Sequence, residues 1–164
     1  MKVLLLSDTH SYLDDSIIKY TKDVDEIWHA GDFGNAGLAS ALAAQKPLRG
    51  VYGNIDGQDI RQQFPLELFF IASGVRVLMI HIGGYPGKFP ESVKQRIRFH
   101  QPDLFICEHS HILKVVRNKQ HGNMLCVNPG AAGKQGFQQI RTMIRMELEQ
   151  GKIASLEVIE LGPK

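Results

Sequence analysis

The sequence predicts an α/β fold in which two packed sheets are flanked by helices, and three observations carry that reading. In the first third, short apolar runs alternate with helical segments as β-α-β-α-β, the pattern of parallel strands joined by helical crossovers. Later, paired apolar runs are separated by Ser73-Gly74 and Gln150-Gly151, dipeptides that turn antiparallel strands. Size is the third: 164 residues with 43% hydrophobic and 22% charged side chains suit one globular domain spanning 1–164 and exclude a disordered chain.

Each element follows from its residues. Lys2 to Leu6 is a continuous apolar run bounded by Ser7 and Asp8, as expected of a strand buried on both faces. Asp14 or Asp15 caps a helix to which Ile17, Ile18 and later Val24 bring apolar contacts. Asp25 to Ala30 reads as a second buried strand ending at Gly31, Ala36 to Gln45 as an Ala- and Leu-rich helix, and Leu48 to Tyr52 as a third strand ending at Gly53. Parallel strands place the loops that follow them at one sheet edge, where open α/β sheets bind ligands. Leu66 to Ala72 and Val75 to Ile82 form a hairpin, and a helix from about Glu91 to His100 precedes the strand Leu104 to Cys107. Ile112 to Val116 pairs with Met124 to Val127, and Thr142 to Leu148 pairs with Ala154 to Leu161. Residues 83–90 and 130–137 are Gly-rich loops.

Several function classes drop out. The longest apolar run, Val75 to Ile82, is broken by Arg76 and falls far short of the roughly 20 residues that span a bilayer. Val3 to Leu6 is too short for the core of a secretion signal, so a cytoplasmic protein with no membrane partner is expected. A net charge of +2, from 19 basic and 17 acidic side chains, gives no pull toward nucleic acid, and Lys94, Arg96 and Arg98 read as a solvated helix face. Cys107 and Cys126 sit in apolar stretches and are expected to be reduced core residues without chemistry.

Five short motifs fall where strands end: Asp8-Thr9-His10, Gly31-Asp32, Gly53-Asn54, His81 and His109-Ser110-His111. Alternate residues of an extended segment project to one side, so Asp8 with His10, and His109 with His111, are expected to converge by extension of the strands. Gly31 and Gly53 permit tight turns beside their ligands. The inventory of Asp, His and Asn without a thiolate suits Mn, Fe, Co, Ni or Zn better than Ca or Mg. Seven side chains exceed the needs of one ion; with Asp32 bridging, eight contacts serve two ions about 3.5 to 4 Å apart.

In this order, and followed by Asn128-Pro129-Gly130, these motifs resemble the calcineurin-like metallophosphoesterases, and more closely their small YfcE-like phosphodiesterase branch. The resemblance implies a four-layer α-β-β-α metallophosphatase sandwich. It also implies one metal on Asp8, His10, Asp32 and His111 and another on Asp32, Asn54, His81 and His109, these seven acting catalytically through the ions, Mn foremost, and a bridging hydroxide. Two divalent ions bring four positive charges, of which Asp8, Asp32 and the hydroxide return three, so a positive remainder faces an anionic phosphoester.

Three positions depart from the family pattern. Ile55 stands where larger relatives carry a His that serves as general acid. Glu108 stands where a Gly usually precedes H-x-H; its carboxylate either supports a ligand or turns to solvent, or else lies near the substrate and biases the site toward diesters. Ala131 replaces a Ser after N-P-G. His29 reads as a support for a ligand, His100 and His121 as solvated, Asp56 as a turn residue, and Tyr85, Lys88 and Phe89 as packing or oligomer contacts. The expected partner is a small phosphodiester or phosphomonoester, with a homo-oligomer left open. The alternative is a non-catalytic Vps29-like protein-interaction scaffold, against which the complete ligand set speaks.

Overall fold

Val3 and Leu5 point one way along the first strand and Leu4 and Leu6 the other, and that alternation accounts for the layers of the molecule. In a computed structural model describing residues 1–164, Val3 and Leu5 join Trp28, Val77, Met79, Leu104, Ile106 and Ile144 in the core between two sheets. Leu4 and Leu6 instead pack with Ile17, Leu38 and Leu42 beneath an outer helical layer. A third cluster joins Leu78 and Phe105 to Val93 and Ile97, which places a helix on the outside of the second sheet. The layers therefore run α-β-β-α, and a strand buried on both faces needs no polar face.

The elements in chain order are β1 Lys2–Leu6, α1 Asp15–Thr21, β2 Glu26–His29, α2 Ala36–Ala43, β3 Leu48–Gly50, α3 Gln58–Arg61, β4 Glu67–Ala72, β5 Val75–Ile80, α4 Glu91–His100, β6 Leu104–Ile106, β7 Lys114–Asn118, β8 Met124–Asn128, β9 Ile140–Glu149 and β10 Lys152–Pro163. One sheet has the order β10-β9-β1-β2-β3 and the other β4-β5-β6-β8-β7. β1, β2 and β3 are parallel, as are β5, β6 and β8, while β9, β4 and β7 pair antiparallel to their neighbours. Both sheets are mixed. No helix is long and apolar enough to cross a membrane.

Asp14 caps α1 by accepting a hydrogen bond from the Ile17 N–H at 3.1 Å, and Asn35 caps α2 through Leu38 at 2.9 Å. The structure adds α3, a single turn, and moves the expected strand 112–116 to Lys114–Asn118, leaving Ile112 67% exposed after the His-Ser-His loop. Both cysteines are buried and free, with burial pushing the Cys107 thiol up to about 12 and Cys126 to about 11. His100 and His121 are half-buried rather than solvated: His100 stacks on Phe69 at 4.3 Å, and the Asn118 amide meets His121 at 3.0 Å.

Candidate metal centre

The segments leaving β1, β2, β3, β5 and β6 meet at one edge, and there the backbone turns left-handed. Asp8, His10, Asp32, His109 and His111 have φ of 50°, 45°, 56°, 87° and 57°, so five of the seven candidate ligands occupy a conformation L-residues avoid. The expectation that extended geometry aligns each i, i+2 pair is therefore corrected: the strands have already ended, and left-handed turns do the aligning. Such residues cost about 1 kcal/mol or more apiece and persist where surrounding contacts over-determine them. Those contacts are main-chain bonds, with Asp8 N–H donating to Gly31 O at 3.0 Å, His10 N–H to Asp32 O at 3.1 Å and Ser11 N–H to Phe33 O at 2.7 Å. A Cβ on Gly31, whose φ is +106°, would lie 2.6 Å from His81 Nδ1, and one on Gly53 would collide with the Asp32 carboxylate.

Two groups of donors form around Asp8, namely Asp8 with His10 and His111, and Asp8 with Asp32 and His81, each with its ligand atoms within 4.8 Å of one another. Hydrogen bonds fix the imidazoles. His81 Nδ1–H donates to Ala30 O at 2.8 Å, which leaves the Nε2 lone pair facing Asp32 Oδ2 at 3.4 Å. Gln138 donates its amide to the Gly133 and Gln135 carbonyls, so its Oε1 accepts from His111 Nδ1–H at 3.2 Å and His111 Nε2 faces Asp8 Oδ1 at 2.9 Å. His10 Nε2 lies 3.7 Å from Asp8 Oδ1 and 3.8 Å from Asp32 Oδ2. A lone pair facing a carboxylate is repulsive until a cation enters, and Asp8 Oδ1, His10 Nε2 and His81 Nε2 are buried with no hydrogen-bond partner. The donors fit divalent metal ions.

Without an ion, protons take the cation's place. The Asp8 carboxylate, 2.9 Å from Nε2, pushes His111 up to about 9. Burial works against a charged His81, yet Asp32 and Asp8 still raise it. Burial also opposes ionisation of Asp8, but the imidazoles of His10, His111 and His81 beside it hold its carboxyl far below the usual range.

Asn54 and His109 stand at the exposed mouth, where His109 Nδ1 meets Asn54 Oδ1 at 3.0 Å and the His109 and His81 rings stand edge to face at 5.7 Å. Glu108 is only 4% exposed, so it does not turn to solvent; its carboxylate lies against that of Asp8 with neither oxygen hydrogen-bonded. Burial and the Asp8 charge push it up to about 8.

Three supporting residues carry more than their sequence context announces. His29 accepts from Gly31 N–H at 3.2 Å through Nδ1, so its Nε2–H donates to Thr9 Oγ1 at 3.0 Å and holds the residue between Asp8 and His10. Full burial, which holds it down to about 3, keeps this imidazole neutral. Asp56 is no plain turn residue: it accepts from Gly34 and Gly53 N–H, both at 2.8 Å, and so ties the loops bearing Asp32 and Asn54. Asn128 donates to Ser110 Oγ at 2.9 Å between the two histidines. The N-P-G motif marks Asn128 in the sequence, whereas Gln138 carries no local signal because it acts only through the fold.

A family model described as the calcineurin-like phosphoesterase superfamily domain matches residues 1–151. A probable metallophosphoesterase of Methanothermobacter thermautotrophicus is 26% identical over 136 residues, covering 80% of this chain and 77% of that protein. Among solved structures, one described as a novel archaeal phosphodiesterase superposes with a TM-score of 0.76 at 20% identity, over 98% of this chain and 99% of that one. Chaetomium thermophilum Vps29 does so with 0.76 at 15% identity, over 100% of both.

Proposed function

Because the chain belongs to the calcineurin-like phosphoesterase superfamily, we propose that it is a cytoplasmic phosphodiesterase working through two divalent ions. The observation that supports this most is the convergence of imidazole Nε2 atoms on the Asp8 and Asp32 carboxylates, with Asp8 Oδ1, His10 Nε2 and His81 Nε2 buried and without hydrogen-bond partners. Asp8, His10, Asp32 and His111 would hold one ion, and Asp32, Asn54, His81 and His109 the other, with Mn first and Ni, Co, Fe or Zn also suited to the oxygen and nitrogen donors. When bound, such ions supply positive charge to the phosphoryl oxygens and bring the acidity of water near neutrality.

The chain's own part is to hold charge and tautomers. Ala30 and Gln138 keep His81 and His111 protonated on Nδ1, so that Nε2 stays free to bind. Ile55 serves through its backbone, donating N–H to Asp32 Oδ1 at 3.0 Å, and offers no proton to a departing oxygen. A small phosphoester whose leaving group departs readily is the substrate this arrangement favours.

A protein-interaction scaffold is the second reading, favoured by the likeness to Vps29. The test is hydrolysis of bis(p-nitrophenyl) phosphate and p-nitrophenyl phosphate by the Mn-loaded protein. Diester hydrolysis that a chelator abolishes and Mn restores is expected; no hydrolysis of either ester with any of the five metals would contradict the enzyme reading and leave the scaffold.

A further inference from the structure

A cavity of about 330 Å³ opens beside the candidate centre, at the low end of the usual range for small-molecule sites, and the reading of the protein as a phosphodiesterase gives it no role. Its body is apolar, formed by Ile82, Tyr85, Pro86, Ile112, Val116 and Val127. Its inner rim is His109, the mouth residue that faces His81 and Asn54. Lys114 also lines it, its Nζ 4.4 Å from the Tyr85 ring centroid, as does the buried Glu108. Ile112 and Ile82 are 67% and 50% exposed, apolar surface left bare next to a site built for a charged group.

We propose that this cavity receives one esterified arm of the substrate, and that the arm is an apolar alkyl or aryl group of about four to six carbons. The inference rests on the phosphodiesterase reading. Continuity argues for it: a phosphoryl group among Asn54, His81 and His109 has one ester oxygen directed past His109, and what lies past His109 is the apolar cavity. Charge agrees, because the lining sets one ammonium, Lys114, against one carboxyl, Glu108, and its apolar body offers no partner to a second negative charge. A phosphomonoester, with no second arm, would leave the cavity empty and gain nothing from it.

The experiment is isothermal titration calorimetry of the Mn-loaded protein with monoalkyl methylphosphonates from methyl to hexyl. These monoanions resemble a diester and resist hydrolysis, so binding is read without turnover. Kd is expected to fall about fourfold per methylene up to butyl and then level off as the cavity fills, the burial of each CH₂ contributing about 0.8 kcal/mol. Ile112→Asn, a neutral polar change at an exposed position, should flatten the dependence of Kd on chain length. Val116→Gln, deeper in the cavity and also neutral, should do the same, and a thermal melt checks its folding. A Kd independent of chain length in the wild type overturns the proposal, and continued hydrolysis of bis(p-nitrophenyl) phosphate would then leave the phosphodiesterase reading standing. Graded binding with no hydrolysis of any diester upholds the cavity as an ester-arm site and overturns the catalytic reading.

Discussion

Two carboxylates share a buried wall in this molecule, and their repulsion is visible at Glu108. Its neighbour Asp8 is held ionised by His10 and His111, so Glu108 bears the cost of the encounter. In the unfolded chain Glu108 would ionise freely. Glu108→Gln keeps the shape and removes that cost, so the metal-free variant should melt higher than the wild type at pH 7.5, with about 2 to 4 °C for each kcal/mol recovered. Scanning calorimetry of the metal-free proteins decides it, and an unchanged or lower melting temperature would mean that Glu108 is not strained. The sequence shows Glu108 as a misfit next to His109; its burial against Asp8 is a tertiary fact that no local pattern contains. Asp56 and Gln138 are similar cases: both look like ordinary loop residues, and their partners at Gly34 and His111 lie 22 and 27 residues away.

At the scale of elements, α1 is anchored by a charge. Asp14 caps it and also accepts from Ser16, Tyr12 and Arg141, the last being 3% exposed and bonded to Ala132 O at 2.7 Å. Burial opposes ionisation of Asp14, but these donors outweigh it and hold its carboxyl well below its ordinary value of 3.8. A depressed carboxyl stabilises the fold above its unfolded pKa, and that contribution fades as pH falls below about 4. Asp14→Asn retains a good cap without the charge. The wild type should therefore melt above the variant at pH 6 by an amount that shrinks toward pH 3, measured by circular dichroism; a constant difference would show that charge has no part in it. Most elements are legible in sequence because apolar runs and turn dipeptides mark them: β1 falls on Lys2–Leu6 and α4 on Glu91–His100 as expected. α3 is missed because four residues, Gln58–Arg61, hold too little pattern for a helix. β7 begins two residues late because Ile112 and Leu113 still belong to the turn out of the His-Ser-His loop.

The whole molecule brings residues from Asp8 to His111 to one edge because β1, β2 and β3 in one sheet, and β5 and β6 in the other, deliver their following loops to the same side. Motif order in the sequence reveals this convergence, whereas the left-handed turns that complete it at Asp8, His10 and Asp32 leave only a weak trace, since Asp and His enter that conformation more readily than most residues but usually do not adopt it. With Ile55 in place of an acid, the rate of the whole site should fall steeply as leaving-group pKa rises across aryl and alkyl phosphodiesters; a flat plot with chemistry rate-limiting would reveal another proton donor. The buried His29 is excluded from that part by its bonds to Thr9 and Gly31. Everything rests on the ions. Asp32 Oδ2 faces both His10 and His81, so a single carboxylate serves both proposed sites. The most direct measurement is metal content per chain after Mn loading and dialysis, in the wild type and in folded Asp32→Asn. Two ions in the wild type and fewer than one in the variant are predicted; one ion or none in the wild type, or two tightly bound ions in the variant, would contradict a centre bridged by Asp32.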